Sequence, residues 1–452
     1  MRKIFGTDGV RCVVNQEPMT AETCLKIAKT TGFLLSFKKK GKKKVIISKD
    51  TRLSGYLFEP LLTAGFISMG MDVILVGPLP TPALPILIKS LKADMGVMIT
   101  ASHNTYEYNG LKFFDSNGSK ITKKLEIKIE NIVFNQSKYN KISNLGYDSG
   151  KAFRLDDSNE RYLKYLKTTI KNKRKLKNFK IVLDCANGAT YNVAPILFSE
   201  LGFNVITINN KPNGKNINFN CGAVNIKELS KKVVLEKADI GFAFDGDGDR
   251  IIAVDEQGYE IDGDKFIALF AHNLLKTKKL SKKTVVTTVM SNLGLEKFLN
   301  DIGIKLIRAN VGDINVISEM KKNKFSLGGE QSGHIILGEL MSTGDGILSA
   351  LKVLEILSKY KKRSSELFNL YKSYPQIKSN LFIKKKLTKK IEKKIKFLSN
   401  VYLKKYDDVR ILIRSSGTEP IVRLLVEGSK NSDTKAVYDK ILIDLKKVLN
   451  AK

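Results

Sequence analysis

Val45-Ile46-Ile47, Thr51-Arg52-Leu53-Ser54-Gly55, a run of helical periodicity closing at Gly70, and Val73-Ile74-Leu75-Val76 spell a strand, a polar turn, an amphipathic helix and a second strand. Short apolar runs bounded by turn residues read as buried strands, and two of them flanking a helix read as a βαβ unit. The plan recurs twice. Val182-Leu183, Cys185-Ala186-Asn187-Gly188, a helix to Gly202 and Val205-Ile206 repeat it; Val285-Val286, Ser291-Asn292-Leu293-Gly294, a helix to Gly303 and Leu306-Ile307 repeat it again. The first strands are offset by 137 and 103 residues and the closing glycines by 132 and 101, so the copies keep step. The expected fold is α/β, with three similar βαβ-type mixed-sheet domains over residues 1–154, 155–255 and 256–367. A smaller α+β domain over 368–452 follows, where Lys-rich sequence leads to strands at 409–414 and 421–426 and a helix at 433–450. Ligands in such sheets sit beyond the carboxyl ends of the strands, so functional motifs are expected there.

At 452 residues, the chain suits about three domains of ~150 residues each, with room for a fourth segment. Hydrophobic residues at 42% and charged residues at 27% exclude a disordered chain. Cys12, Cys24, Cys185 and Cys221 show neither a CxxC pair nor zinc-ligand spacing, so a disulfide framework or a zinc site is not expected. After Arg2 and Lys3 the chain runs directly into Phe5-Gly6-Thr7-Asp8-Gly9, without the apolar stretch of an export signal. Pro78, Pro80, Pro82 and Pro85 interrupt the apolar run 72–88, which excludes an unbroken spanning helix there. A cytoplasmic protein with no membrane partner is the expectation.

The net charge of +33 raises the question of a polyanionic partner. Only 12 of the 78 basic residues are Arg, the residue that bidentate phosphate and base recognition favours. Lysine runs at 38–40, 42–44 and 384–386 lack interleaved aromatics. The excess reads as solvated surface and no nucleic-acid partner is expected. A polyanion-binding protein is the competing class, and steeply salt-dependent DNA binding would distinguish it.

Four polar clusters carry chemistry. Gly96-Val97-Met98-Ile99 runs into Thr100-Ala101-Ser102-His103-Asn104, placing the Ser102 hydroxyl at a strand's carboxyl end. A polar turn is the plain alternative, and a Ser-His hydrolase is disfavoured because no GxSxG elbow is present. Asp245, Asp247 and Asp249 alternate within a Gly-rich turn between apolar strands. Three carboxylates so close call for a divalent cation, and an all-oxygen set suits Mg²⁺ or another hard metal, a structural turn being the plain alternative. An EF-hand is excluded because Arg250 occupies the position that needs Gly and strands flank the loop.

Gly328-Gly329-Glu330-Gln331-Ser332-Gly333-His334 presents groups that pair with sugar hydroxyls. Arg414-Ser415-Ser416-Gly417-Thr418-Glu419-Pro420, with Arg410 and Arg423 close by, gathers the guanidiniums, hydroxyls and turn amides that suit a phosphate. His272 lies in an apolar helical run and reads as packing. Together the clusters describe a phosphosugar enzyme, whose serine becomes nucleophilic toward phosphorus when a metal offsets charge on the transferring group.

In order along the chain, Phe5-Gly6-Thr7-Asp8-Gly9-Val10-Arg11, Thr100–Asn104, Asp245–Arg250, Gly329–His334 and Ser416-Gly417-Thr418-Glu419-Pro420 resemble the motifs of the α-D-phosphohexomutase superfamily. The resemblance covers essentially the whole chain. It implies interconversion of a hexose 6-phosphate and its 1-phosphate through a phosphoserine enzyme and a bisphosphorylated sugar. Gln331 and the Phe-Gly-Thr opening favour glucosamine phosphate, as a precursor of UDP-N-acetylglucosamine, over mannose or glucose phosphates. Ser102 would carry the phosphoryl group, with Arg11, His103 and Lys112 near the transfer centre and Lys112 a candidate acid/base group. Asp245, Asp247 and Asp249 would hold one Mg²⁺ together with Ser102. Arg250, Glu330, Ser332 and His334 would bind the sugar; Arg414, Ser416, Gly417, Thr418 and Arg423 would grip the idle phosphate.

A hexose or glucosamine 1,6-bisphosphate would serve as activator and intermediate, and a monomer or homodimer is expected. The chain departs from the pattern at Cys12, at Ser48-Lys49, at Thr105 and at Ser415. It departs further at Ile314-Asn315, where Arg-Tyr is usual after Gly-Asp, and the lost charge implies weakened ligand or interdomain contacts.

Overall fold

The structure is a computed structural model that describes residues 4–6, 8–36, 41–143, 148–170, 179–383, 389–406, 409–415 and 421–450. The chain divides into two compact units, Met1–Val289 with Lys305–Asn369, and Met290–Ile304 with Leu370–Lys452.

In the first unit one strand plan appears three times. Strands Lys43–Lys49, Met71–Pro78, Met95–Ile99 and Tyr108–Asp115 form the first copy. Lys180–Asp184, Asn204–Ile208, Ile240–Phe244 and Ile251–Asp255 form the second. Thr284–Thr288, Lys305–Ala309, Leu327–Gly329 and Ile335–Leu337 form the third. In every copy the first strand lies between the second and the third, parallel to both, and the fourth runs antiparallel beside the third. Edge strands Val10–Val13 and Ala152–Arg154 extend the first sheet, and Glu260–Ile261 extends the second. The connection from third to fourth strand is therefore the same topological position three times. It holds Thr100–Asn104 in the first copy, Asp245–Arg250 in the second and Glu330–His334 in the third.

The local reasons are visible in the sequence. Met95–Ile99 and Ile240–Phe244 are buried along their whole length, as strands flanked on both faces must be. Helices Gly55–Ile67, Val193–Glu200 and Leu293–Asp301 are followed by Gly70, Gly202 and Gly303 at φ +77, +88 and +74, where a side chain would be strained. Val45, Ile47, Val73 and Val97 pack with Phe58, Leu62 and Phe66 in the first core. The proline-broken run 72–88 divides between strand Met71–Pro78 and helix Ala83–Leu91. Among the described residues no helix is long and apolar enough to cross a membrane.

The second unit contains a three-stranded antiparallel sheet in the order Gln376–Phe382, Ile421–Gly428, Val409–Ser415. Helices Lys389–Lys405 and Asn431–Asn450 cover it, with Val437, Ile441 and Leu445 packed among Ile411, Leu424 and Val426. The C-terminal helix starts two residues earlier than its expected 433. Arg410 stands opposite Glu427 on neighbouring strands and binds it at 2.6 Å. Glu427 is fully buried and also accepts the Leu293 N–H at 2.8 Å and the Gln376 side chain at 2.9 Å. Arg410 also donates to the Ser291 carbonyl at 2.9 Å and is thus a structural arginine, committed to Glu427 and that carbonyl.

Candidate active site

Ser102 sits at the carboxyl end of strand Met95–Ile99 with φ +51, a left-handed conformation that costs a non-glycine residue on the order of 1–2 kcal/mol. Its hydroxyl donates to Asp245 Oδ2 at 2.7 Å, so the serine loop of the first sheet meets the acidic loop of the second across 143 residues of chain. His103 Nδ1 lies 3.4 Å from the same hydroxyl. Burial and the nearby Arg250 and Arg11 guanidiniums push the His103 imidazole down to about 3, leaving it neutral near pH 7. Arg11 donates to Asn104 Oδ1 at 3.0 Å, holding the far end of the serine loop.

Asp245, Asp247 and Asp249 are all buried and offer ligand atoms within 4.8 Å of one another. Burial, with Asp249 and Asp247 beside it, raises the Asp245 carboxyl well above its ordinary value, which expresses the cost of three charges in one buried place. Lys112 offsets part of that cost. Its ammonium lies 2.8 Å from Asp247, 2.9 Å from Asp249 and 3.1 Å from Asp8. Burial alone would lower Lys112, but these carboxylates outweigh it and keep the group an ammonium. Thr81 donates its hydroxyl to Asp247 Oδ2. Asp247 Oδ1 and Asp249 Oδ1 are buried with no hydrogen-bond partner among the described residues. Two orphaned carboxylate oxygens facing one cluster fit a hard divalent cation, so the triad can hold a metal.

The third loop completes the unit. His334 Nε2 accepts the Gly344 N–H at 3.1 Å, which turns Nδ1 toward Asp249 Oδ1 at 3.7 Å. Glu330 Oε1 accepts the Gly312 N–H at 3.0 Å, and Ser332 is exposed. The Arg250 backbone N–H donates to Asp245 Oδ1 at 3.1 Å, closing the acidic turn. These three loops, with Lys112 from strand Tyr108–Asp115, therefore bring Ser102, His103, the three aspartates, Arg250 and His334 into one charged cluster. In the other unit, Arg414 and Arg423 face each other directly across neighbouring antiparallel strands. Two guanidiniums side by side offer the paired donors that a phosphate takes. Ser416, Gly417 and Thr418 lie outside the described residues.

Several members of the cluster escape motif reading. Asp8 and Lys120 bond each other, and Lys120 also bonds Asp313, tying the opening motif to the helix Asp313–Asn323 of the third copy. Ile314, where the resemblance marks a lost charge, lines a small cavity with Asp8, Lys112 and Lys120. Lys49, another departure, is neutralised by Glu59 at 2.6 Å. Thr81, Asn218 and Arg52 also reach the loops. Asp8 lies within a quoted motif, Arg52 in a quoted turn and Asn218 in the connecting stretch Asn216-Ile217-Asn218, which also resembles the family, but Thr81 carries no sequence signal beyond polar turn chemistry.

The family descriptions Phosphoglucomutase/phosphomannomutase, alpha/beta/alpha domains I, II and III, match residues 2–140, 160–258 and 262–374, and the C-terminal domain of the same family matches 377–443. A phosphoglucosamine mutase of Desulfotalea psychrophila is 46% identical over 456 residues, covering 100% of both chains. One of Pelobacter propionicus is 44% identical over 453 residues, again covering 100% of both. Among solved structures, a phosphoglucomutase/phosphomannomutase family protein from Burkholderia thailandensis superposes with a TM-score of 0.83 at 24% identity, over 99% of this chain and 98% of that one.

Proposed function

The chain belongs to the phosphoglucomutase/phosphomannomutase family and groups within it with the phosphoglucosamine mutases, and from that premise we propose that Ser102 is the phosphoryl carrier that interconverts glucosamine 6-phosphate and glucosamine 1-phosphate. The enzyme is a mutase, an isomerase of phosphohexoses. The observation that carries the residue assignment is the 2.7 Å contact between the Ser102 hydroxyl and Asp245, a nucleophile held against an acidic cluster with orphaned oxygens.

Asp245, Asp247 and Asp249, with the Ser102 oxygen, would hold one Mg²⁺. When bound, the ion neutralises charge on the transferring phosphoryl group. The residues of the chain do the rest. In the charging direction the bond from phosphorus to a sugar oxygen breaks as the bond to Ser102 Oγ forms. The serine proton leaves along one of its two contacts, to Asp245 Oδ2 or to neutral His103 Nδ1. Lys112, kept an ammonium by its carboxylates, supplies a proton to the departing sugar oxygen. In the reverse direction phosphoserine phosphorylates a sugar hydroxyl, giving the 1,6-bisphosphate that turns over before the other phosphate returns to Ser102.

Arg11 steadies the serine loop, Arg250, Glu330, Ser332 and His334 bind the sugar, and Arg414, Ser416, Gly417, Thr418 and Arg423 take the idle phosphate. The working division is four domains over 1–154, 155–255, 256–367 and 368–452, in a cytoplasmic enzyme. Phosphorus NMR of the protein with glucosamine 6-phosphate, Mg²⁺ and a trace of hexose bisphosphate tests this. Growth of glucosamine 1-phosphate, absent in Ser102→Ala, is the expected result. A silent wild type that carries phosphoserine overturns the substrate assignment and brings mannose and glucose phosphates to the same assay.

A further inference from the structure

Ser102 is held less by its own side chain than by what happens to its carbonyl. The Ser102 carbonyl accepts from Arg52 Nη2 at 2.9 Å and from Asn218 Nδ2 at 2.8 Å. The Asn104 carbonyl accepts from the same two groups, at 2.8 Å each. Arg52 also donates to the Thr105 carbonyl. The carbonyls of Ser102, Asn104 and Thr105, all in one loop, would otherwise be left as unsatisfied acceptors. Instead two donors, Arg52 from the turn after strand Lys43–Lys49 and Asn218 from the loop after strand Asn204–Ile208, fork the same pair of carbonyls.

Arg52 is itself fixed. It is 1% exposed, and its Nε binds Asp50 Oδ2 at 2.9 Å. The same Asp50 oxygen accepts the Thr100 hydroxyl at 2.6 Å, and Thr100 Oγ1 accepts the Ser102 N–H at 2.8 Å. Both the N–H and the carbonyl of Ser102 are thereby tied to one buried Asp50–Arg52 pair, which offsets the cost of φ +51. Asn218, the other half of the clamp, stands against the acidic loop. A Cβ placed on Gly246 would lie 2.6 Å from Asn218 Nδ2 and 2.6 Å from the Ser102 carbonyl oxygen. Only a glycine between Asp245 and Asp247 lets the metal loop pack directly on the clamped serine.

We propose that Arg52 and Asn218 are positioning residues of the phosphoryl transfer: they set the backbone of Ser102 so that its oxygen faces the Asp245 loop. Neither touches the hydroxyl, and the effect passes through the Ser102 and Asn104 carbonyls. The proposal rests on the reading of Ser102 as phosphoryl carrier. Its signature is loss of the chemical step without loss of ligand affinity, because a displaced nucleophile costs rate while the sugar and phosphate contacts stay in place.

The test uses full-length Asn218→Ala and Arg52→Lys. Ser102 phosphorylation by glucose 1,6-bisphosphate with Mg²⁺ is followed by intact-protein mass spectrometry, and turnover by phosphorus NMR. A wild type that takes up no phosphoryl group overturns the functional reading itself, before the variants are compared. With an active wild type, the expected result is that both variants phosphorylate Ser102 and turn over substrate about 100-fold more slowly, with KM within about threefold. Mg²⁺ affinity, measured by calorimetry on each variant, stays at the wild-type value. Lysine fails to rescue because a point charge cannot serve several carbonyls as the guanidinium fork does. Wild-type rates in Asn218→Ala overturn the proposal. So does a loss that matches the unfolded fraction by circular dichroism, or one that follows a fall in Mg²⁺ affinity. If Arg52→Lys does not fold, Asn218→Ala decides alone.

Discussion

The Lys112 ammonium and the Asp247 carboxylate meet at 2.8 Å, joining the first sheet to the second across 135 residues of chain. Both are buried, and the same ammonium also serves Asp249 and Asp8. Lys112 is thus the resident counter-charge of the acidic cluster, beside its proposed role as proton donor to the sugar oxygen. Lys112→Met leaves those carboxylates without their cation, and loss of one partner from a buried ionic cluster costs about 3–5 kcal/mol. Thermal unfolding of the variant will show a lowered Tm, and added Mg²⁺ will restore a larger part of it than Mg²⁺ adds to the wild type. Equal Mg²⁺ shifts in both proteins would remove Lys112 from this role.

Asp247→Asn deletes charge from the cluster while keeping its shape. The expected result is Mg²⁺ binding weakened by about 10-fold or more and mutase activity reduced in step, with chelation abolishing activity in the wild type. Calorimetry with the metal alone reads the first effect. Unchanged affinity would place the cation elsewhere.

Asp345 caps the helix Gly346–Tyr360, accepts the Tyr162 hydroxyl at 3.0 Å and is fully buried. Burial raises its carboxyl to about 7, above the unfolded value of 3.8. The folded state therefore holds a proton that the unfolded chain releases between those values. The stabilising effect of that proton is complete below about pH 4 and is lost as pH rises through about 7. Asp345→Asn keeps the cap and removes the titration, so the wild type will lose stability relative to the variant between about pH 4 and 7 and level off above, by denaturant unfolding at each pH. Parallel curves would contradict it.

Glu427 gathers Arg410, the Leu293 N–H and Gln376 inside the second unit. Glu427→Ala leaves a partly buried guanidinium with only the Ser291 carbonyl and strands a backbone donor, a loss of about 2–3 kcal/mol by chemical denaturation. A change under about 1 kcal/mol would show that the network relaxes onto water.

Arg414 and Arg423 make the opposite prediction from the same sheet. Arg423→Gln will raise KM for the sugar phosphate by about 10-fold or more, with a smaller fall in Tm than Glu427→Ala causes. A lowered Tm with unchanged KM would make Arg423 a structural residue like Arg410.

Much of this protein is legible from local chemistry. Apolar strands bounded by turn residues, helices closed by Gly70, Gly202 and Gly303, and three acids at alternate positions in one turn declare themselves within short windows, because backbone sterics and charge repulsion act over a few residues. The triplicated plan and the loops holding Ser102, Asp245–Asp249 and Glu330–His334 follow from such windows. The partnerships among those loops do not. Which lysine neutralises the aspartates, which carbonyls Arg52 and Asn218 seize, and whether Arg410 serves a ligand or Glu427 depend on groups 17 to 137 residues apart along the chain. Burial strips these charges of water and forces each to find a partner, and only the packing of the sheets determines which partner is within reach.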